Sequence, residues 1–239
     1  MIHIGTSGWS YKHWKEKFYP SNIKESEQLG YYVKHFSTVE INNSFYRLPD
    51  KKVFEQWRKS TPPHFVFAVK ASRFITHMKK LKTKEGGFDK FFSNAEGLKE
   101  KLGVILFQLP PRWKINIGRL EEFLKILPKG YRYAFEFREH SWYYEEVYQL
   151  LRTYDSAFCI YELEHHLSPL EVTADYAYVR LHGPGNKYQG SYTEEALAEW
   201  SKRCKKWKQD NKDVFVYFDN DQDAYAVHNA QRLITLTES

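Results

Sequence analysis

Eight short apolar or β-rich runs recur along the chain, and most are separated by stretches long enough to hold a helix. They are His3–Ser7, Thr38–Phe45, Phe65–Ser72, Val104–Leu109, Tyr133–Arg138, Ala157–Leu163, Tyr176–Gly183 and Phe215–Asn220. Runs this continuous suit parallel strands covered on both faces, and their alternation with helical stretches reads as repeated βα units. Several covering helices announce themselves by an apolar stripe: Leu29, Tyr32, Val33 and Phe36, then Val53, Phe54 and Trp57, then Val147, Leu150, Leu151 and Tyr154. Ala196, Leu197 and Trp200 form another, and Ala226, Ala230, Leu233 and Ile234 give the last stretch its inner face. Between Leu163 and Tyr176 there is little room, and Pro169 breaks any long helix, so the sixth unit is expected to have a shortened or missing helix. The expected fold class is α/β, a single (β/α)8 TIM-type barrel domain over residues 1–239, and the length fits the roughly 250 residues usual for that architecture. An open doubly wound sheet is the rival; regular strand spacing without a GxGxxG turn favours closure.

A chain of this size buries enough surface to need no disulfide staples. Its two cysteines, Cys159 and Cys204, show no CxxC spacing, which fits a reducing compartment. No segment approaches the roughly 18 apolar residues of a membrane span, and no charged leader precedes an apolar stretch, so a cytoplasmic protein without membrane contact is expected. The balance of 36 Lys+Arg against 30 Asp+Glu gives a formal charge of +6, which favours anionic partners. The lysines are spread out, however, as in Lys79, Lys80, Lys82 and Lys84 or Lys202, Arg203, Lys205, Lys206 and Lys208. That pattern reads first as a solvated surface and second as an anion patch.

Barrel proteins place their sites at the C-terminal ends of the strands, and side chains two apart on a strand share a face. The alternation groups Glu40, Asn42 and Ser44 on the second run, Glu136 with Arg138 on the fifth, and Tyr178, Arg180 and His182 on the seventh. Tyr217 and Asp219 pair on the eighth, the third ends in Lys70 and Ser72, and the fourth contributes Gln108. Buried charges are costly unless paired, so Glu40, Lys70, Glu136, Arg138, Arg180 and Asp219 are expected to form one network.

The same segments carry a resemblance. Gly5-Thr-Ser-Gly-Trp-Ser-Tyr11, Val39-Glu-Ile-Asn-Asn-Ser-Phe-Tyr46 and Phe67-Ala-Val-Lys-Ala-Ser72 are joined by Leu106-Phe-Gln-Leu-Pro-Pro111 and Phe135-Glu-Phe-Arg138 with Ser141-Trp142. Val179-Arg-Leu-His-Gly-Pro184 and Tyr217-Phe-Asp-Asn-Asp221, with Ala224-Tyr225 and Asn229, complete the set. Together they resemble the DUF72 or YecE-like family across essentially the whole chain. The resemblance implies a (β/α) barrel and assigns no catalytic roles.

Several chemistries fit such a rim. Lys70, Arg138, Arg180 and the Gly183-Pro-Gly185 turn suit a small phosphate-bearing or other anionic ligand, or nucleic acid, with Asn42, Gln108, Tyr46 and Trp142 as further ligand contacts. A hydrolase-type enzyme would use Glu40 or Glu136 to carry a proton, with His182 and Asp219 as orienters. Glu40 and Glu136 would also serve as the two carboxylates of a glycosidase, with Trp9, Tyr11, Trp14, Tyr46, Trp142 and Tyr188 stacking on sugar rings or simply packing as a lid. No cofactor is expected. A divalent metal would use Glu40, Glu136, His182 and Asp219, but only His182 sits at a strand end and no HxH or HExxH spacing occurs. The rival to all of these is a non-catalytic binding module whose charges form a structural ion-pair plug. No obligate protein partner is expected.

Overall fold

The computed structural model describes residues 1–82 and 87–239, so Lys84 lies outside the described residues. Along the chain run β1 (Ile2–Thr6), α1 (Gln28–Tyr32), β2 (Thr38–Ile41), α2 (Asn43–Tyr46), α3 (Lys51–Lys59), β3 (Val66–Lys70) and α4 (Gly87–Ala95). There follow β4 (Leu102–Gln108), α5 (Ile117–Ile126), β5 (Arg132–Glu136), α6 (Glu145–Thr153), β6 (Ala157–Leu163) and β7 (His166–Leu167). The chain ends with β8 (Tyr176–Leu181), α7 (Glu194–Gln209), β9 (Asp213–Phe218) and α8 (Tyr225–Glu238). Each of the eight expected runs holds one strand. Residues divide between two compact units, one of Met1–Glu40, Ile160–Leu170 and Asp175–Ser239, the other of Ile41–Cys159 and Glu171–Ala174.

In the first unit β1 pairs in parallel with β9, and β9 with β8. A parallel bridge between Ser7 and Glu40 ties the end of β1 to β2. All six residues of β8 are buried, as are the last five of β9, which is why these strands read as near-continuous apolar runs. Helix α7 buries Leu197, Trp200, Ser201 and Cys204 along one stripe, with the Thr193 hydroxyl accepting from Ala196 N at its start. Helix α8 turns in Ala226, Val227, Ala230 and Leu233. Burial pushes the Cys204 thiol up to about 12, so it stays an inert core group.

Close approach fixes two glycines here. A Cβ on Gly5 would meet the Thr38 carbonyl oxygen at 2.3 Å, so β1 accepts no side chain at that point. Gly183 has φ +105°, and a Cβ there would meet Gln189 O at 2.2 Å.

In the second unit β3, β4 and β5 form a parallel ladder, and β5 continues onto the start of β6 through Ala134↔Ala157 and Phe135↔Phe158. Its core is strongly aromatic. Phe107 stacks on Phe135 at 5.3 Å and meets Phe123 of α5 edge-on at 4.9 Å.

Two local outcomes bear on the sequence reading. After β6 the chain turns back through the two-residue antiparallel β7 and then runs to β8 in place of a helix, as Pro169 implied. The second run is shorter than its alternation suggested. β2 stops at Ile41, and the Ser44 hydroxyl, donating to Ile41 O at 3.1 Å and Lys70 O at 2.6 Å, supports the helical turn α2 instead. Ser44 therefore belongs to a turn and not to the Glu40 strand face. Among the described residues no helix is long and apolar enough to cross a membrane.

Candidate functional site

The ends of the strands in the first unit converge on one buried carboxylate. Glu40 is fully buried and accepts from Arg180 Nε at 2.9 and 3.1 Å, from Arg180 Nη2 at 2.8 Å and from the Tyr178 hydroxyl at 2.7 Å. The Ser7 hydroxyl, just past β1, donates to the same group. Arg180 Nη2 also donates to Asp219 Oδ2 at 3.0 Å. His182 Nδ1 lies 3.0 Å from that oxygen. Tyr178, Arg180 and His182 thus share a face, as the alternation of β8 required, and all three serve one cluster.

Burial sets the tone of this cluster. The Tyr178 hydroxyl is pushed well above the usual phenol range, by burial first and by the Glu40 charge second, so it acts as a hydrogen-bond donor. Asp221 is pushed up by burial and by the neighbouring Asp219. Tyr11 packs at the end of β1, its hydroxyl donating to Ser7 O at 2.5 Å. Two carboxylates here face one guanidinium, and Arg180 is committed to both. That balance does not favour an incoming anion.

The second unit has a different complexion. Lys70, Gln108 and Glu136 are the last residues of β3, β4 and β5, and Gln108 sits beside Glu136 in register. Arg138 Nε donates to Glu136 Oε1, in a pair almost fully withdrawn from water. Cys159 Sγ lies 3.8 Å from Glu136 Oε2. Lys70 places its ammonium 4.7 Å from the centre of the Phe45 ring, and His77 meets the same ring edge-on at 5.0 Å. Asn42, half-buried at the start of α2, has an Oδ1 atom that makes no hydrogen bond among the described residues. A buried acceptor of that kind calls for a donor.

His77 reports the local field. Burial, then Lys70, then Arg73 push its imidazole down to about 4, against a weaker opposite pull from Glu136. The folded protein therefore takes up this proton later than the unfolded chain does. Stability is fully present above about pH 6.5 and falls as the pH drops towards 4. Melting temperatures measured across that window should decline less steeply in His77→Gln than in the wild type; parallel profiles would remove His77 as the cause.

Other expected contacts fare unevenly. Tyr46 is 76% exposed and presents its ring to solvent. Trp142 does not: it is fully buried, stacks on Phe137 at 4.8 Å and donates its indole N–H to Trp113 O at 2.6 Å, so it packs the core and offers no face to a ligand. Trp14 is buried likewise, its N–H spent on Asp221 O at 3.0 Å. The Gly183 amide, expected to help cradle an anion, donates instead to the Tyr192 hydroxyl at 3.1 Å. The sequence reading missed His77, which rides on a π-helical turn after β3, and Ser7, which the Gly5-Thr-Ser7 motif had already placed at a strand end. Among the described residues no group of three or more His, Cys, Asp or Glu side chains is arranged to hold a metal ion.

Parallel strands alternating with helices, and polar side chains gathered at the strand C-terminal ends, define an α/β protein of the TIM-type (β/α)8 barrel class. A solved structure of a DUF72 family protein from Thermotoga maritima matches with a TM-score of 0.90 and 31% identity, covering 100% of both chains. The chain belongs to the DUF72 family, described as "Protein of unknown function DUF72", whose pattern it matches over residues 3–239. It is also 28% identical to the UPF0759 protein YunF of Bacillus subtilis, across 100% of this chain and 95% of that protein. The UPF0759 protein YecE of Escherichia coli is 30% identical over a stretch covering 60% of this chain and 50% of YecE.

Proposed function

We propose that the protein binds a small phosphate-bearing or similarly anionic ligand at the carboxyl ends of β3, β4 and β5. The observation that carries this reading is that three neighbouring parallel strands end on Lys70, Gln108 and Glu136, with Arg138 holding the Glu136 carboxylate. The suppressed protonation of His77 lends secondary support: burial is its first cause, and Lys70 and Arg73 push in the same direction by making the surroundings positive. Lys70 supplies a point charge, Arg138 a fork of donors and Gln108 an amide that can both donate and accept. Should the ligand be hydrolysed, Glu136 is the proton carrier nearest these cations.

In the first unit a second reading is favoured by a specific observation. Glu40 is fully buried and accepts from three side chains, which suits a structural ion-pair plug better than a mobile acid or base.

Calorimetric titration with inorganic phosphate and with phenyl phosphate tests the ligand. Saturable binding should weaken about tenfold or more in Lys70→Met, the loss expected for one charged hydrogen bond. A nucleic-acid partner would instead show a steep loss of affinity with added salt, reflecting many phosphate contacts. No saturable binding of either compound, or equal affinity in Lys70→Met, would overturn the reading.

A further inference from the structure

A concave groove of about 1000 Å³ lies on the second unit, between α5 and the turn that follows the π-helical segment Phe74–Met78. Its floor is hydrocarbon. Leu81 and Phe123 are buried there, while Met78 and Ile126 line the same groove yet remain 64% and 46% exposed. Large apolar side chains left in water singly need no explanation, but two sharing one concavity make a patch.

Cations surround that floor. Lys79, Lys80, Lys82, Arg119 and Lys125 line the groove together with one carboxylate, Glu122. Arg119 Nε lies 3.4 Å from Glu122, and Lys125 Nζ is 2.6 Å from Glu121, so α5 neutralises part of its own charge. The three lysines of the turn leave the groove with a positive excess.

The backbone shows that this arrangement is held and not merely left to solvent. Lys80 and Leu81 have φ of +45° and +64°, consecutive left-handed conformations that cost energy in residues with a Cβ. Leu81 N donates to Ile75 O and Lys82 N to Lys79 O, both at 2.9 Å, and the Leu81 side chain is buried beneath them. The backbone that carries these lysines is thereby held along the wall of the groove.

An apolar floor with a cationic rim matches a molecule that is apolar along its length and anionic at one end. A hydrophilic anion would leave the floor wet, and a neutral chain would leave the cations with no counter-charge. The volume is at the upper end of the range, roughly 300–1,000 Å³, usual for small-molecule sites. We propose that this groove binds a single-chain amphiphilic anion, a long-chain carboxylate or alkyl phosphate. The site shares no residue with the strand-end site of Lys70, Gln108, Glu136 and Arg138.

Titration with dodecyl phosphate below its micelle-forming concentration tests the assignment, with dodecyltrimethylammonium and inorganic phosphate as controls. Saturable binding of dodecyl phosphate is expected. It should weaken about tenfold or more in the double variant Arg119→Gln/Lys125→Gln, and again in Ile126→Asp. Circular dichroism and melting curves confirm that each variant is folded. Equal binding of the cationic amphiphile, undiminished binding in both groove variants, or a loss confined to Lys70→Met would overturn the proposal. Inorganic phosphate binding that depends on Lys70 and not on Arg119 or Lys125 bears on the strand-end site alone.

Discussion

Replacing Arg180 with methionine should lower the melting temperature by roughly 6–20 °C, corresponding to about 3–5 kcal/mol for breaking a buried ion pair in a chain of this length. The size of the effect follows from what stays behind. Glu40 is fully buried, and three of its hydrogen bonds come from this one guanidinium. Asp219, with a side chain only 13% exposed, loses a donor at the same time. Methionine matches much of the volume, so the loss is electrostatic and not a cavity. Glu40→Gln alone leaves one of the Ser7 and Tyr178 hydroxyls, which donate to opposite oxygens of Glu40, a carbonyl oxygen to donate to, and leaves Arg180 its Asp219 partner, so it should cost less. The double variant Arg180→Met/Glu40→Gln is expected to be more stable than the sum of the two single changes allows, by about 0.5–3 kcal/mol, because neither charge is then stranded. A melting temperature for Arg180→Met within a degree or two of wild type would mean that this cluster does not hold the first unit together.

Much of this cluster was legible in the sequence, for a simple geometric reason. A strand buried on both faces has only period-2 alternation to distinguish its sides, and a charge within it must find a partner. Tyr178, Arg180 and His182 announced themselves in this way. The strands themselves were legible because covering on both faces turns them into apolar runs.

Where the reading fell short, something other than alternation decided the outcome. Asn42, Asn43 and Ser44 continue the pattern of β2 on paper, but the Ser44 hydroxyl competes for backbone carbonyls and turns the chain into α2. Trp142 followed a strand end and looked available, yet its burial depends on Phe137 and Trp113, which no local pattern reveals. Pairing was also hidden. Period and spacing gathered six charges at the strand ends, and the hydrogen bonds then join Glu40, Arg180 and Asp219 in one unit and Glu136 with Arg138 in the other. Which acid takes which base depends on tilt and register between strands far apart in sequence.

The Glu136–Arg138 pair offers the prediction that best separates structural, binding and catalytic roles. Glu136→Gln should lower stability and raise affinity for phosphate at once. On stability, the carboxylate holds a guanidinium whose side chain is only 6% exposed. Neutralising it should cost about 3 kcal/mol, or roughly 6–12 °C in melting temperature. On affinity, the change removes the negative charge paired with Arg138 and so makes the strand ends that carry Lys70, Gln108 and Arg138 more attractive to an anion. Two unit charges several Å apart at a protein-like dielectric exchange a few kcal/mol, and screening leaves about tenfold in affinity, or ~1.4 kcal/mol. A purely structural carboxylate would lower the melting temperature and leave phosphate binding where it was. A catalytic one would abolish turnover of a phosphomonoester such as phenyl phosphate while still permitting it to bind. Opposite movements of the melting temperature and the phosphate affinity in one variant are therefore the signature of an anion site built around this pair, and a fall in both would sink it.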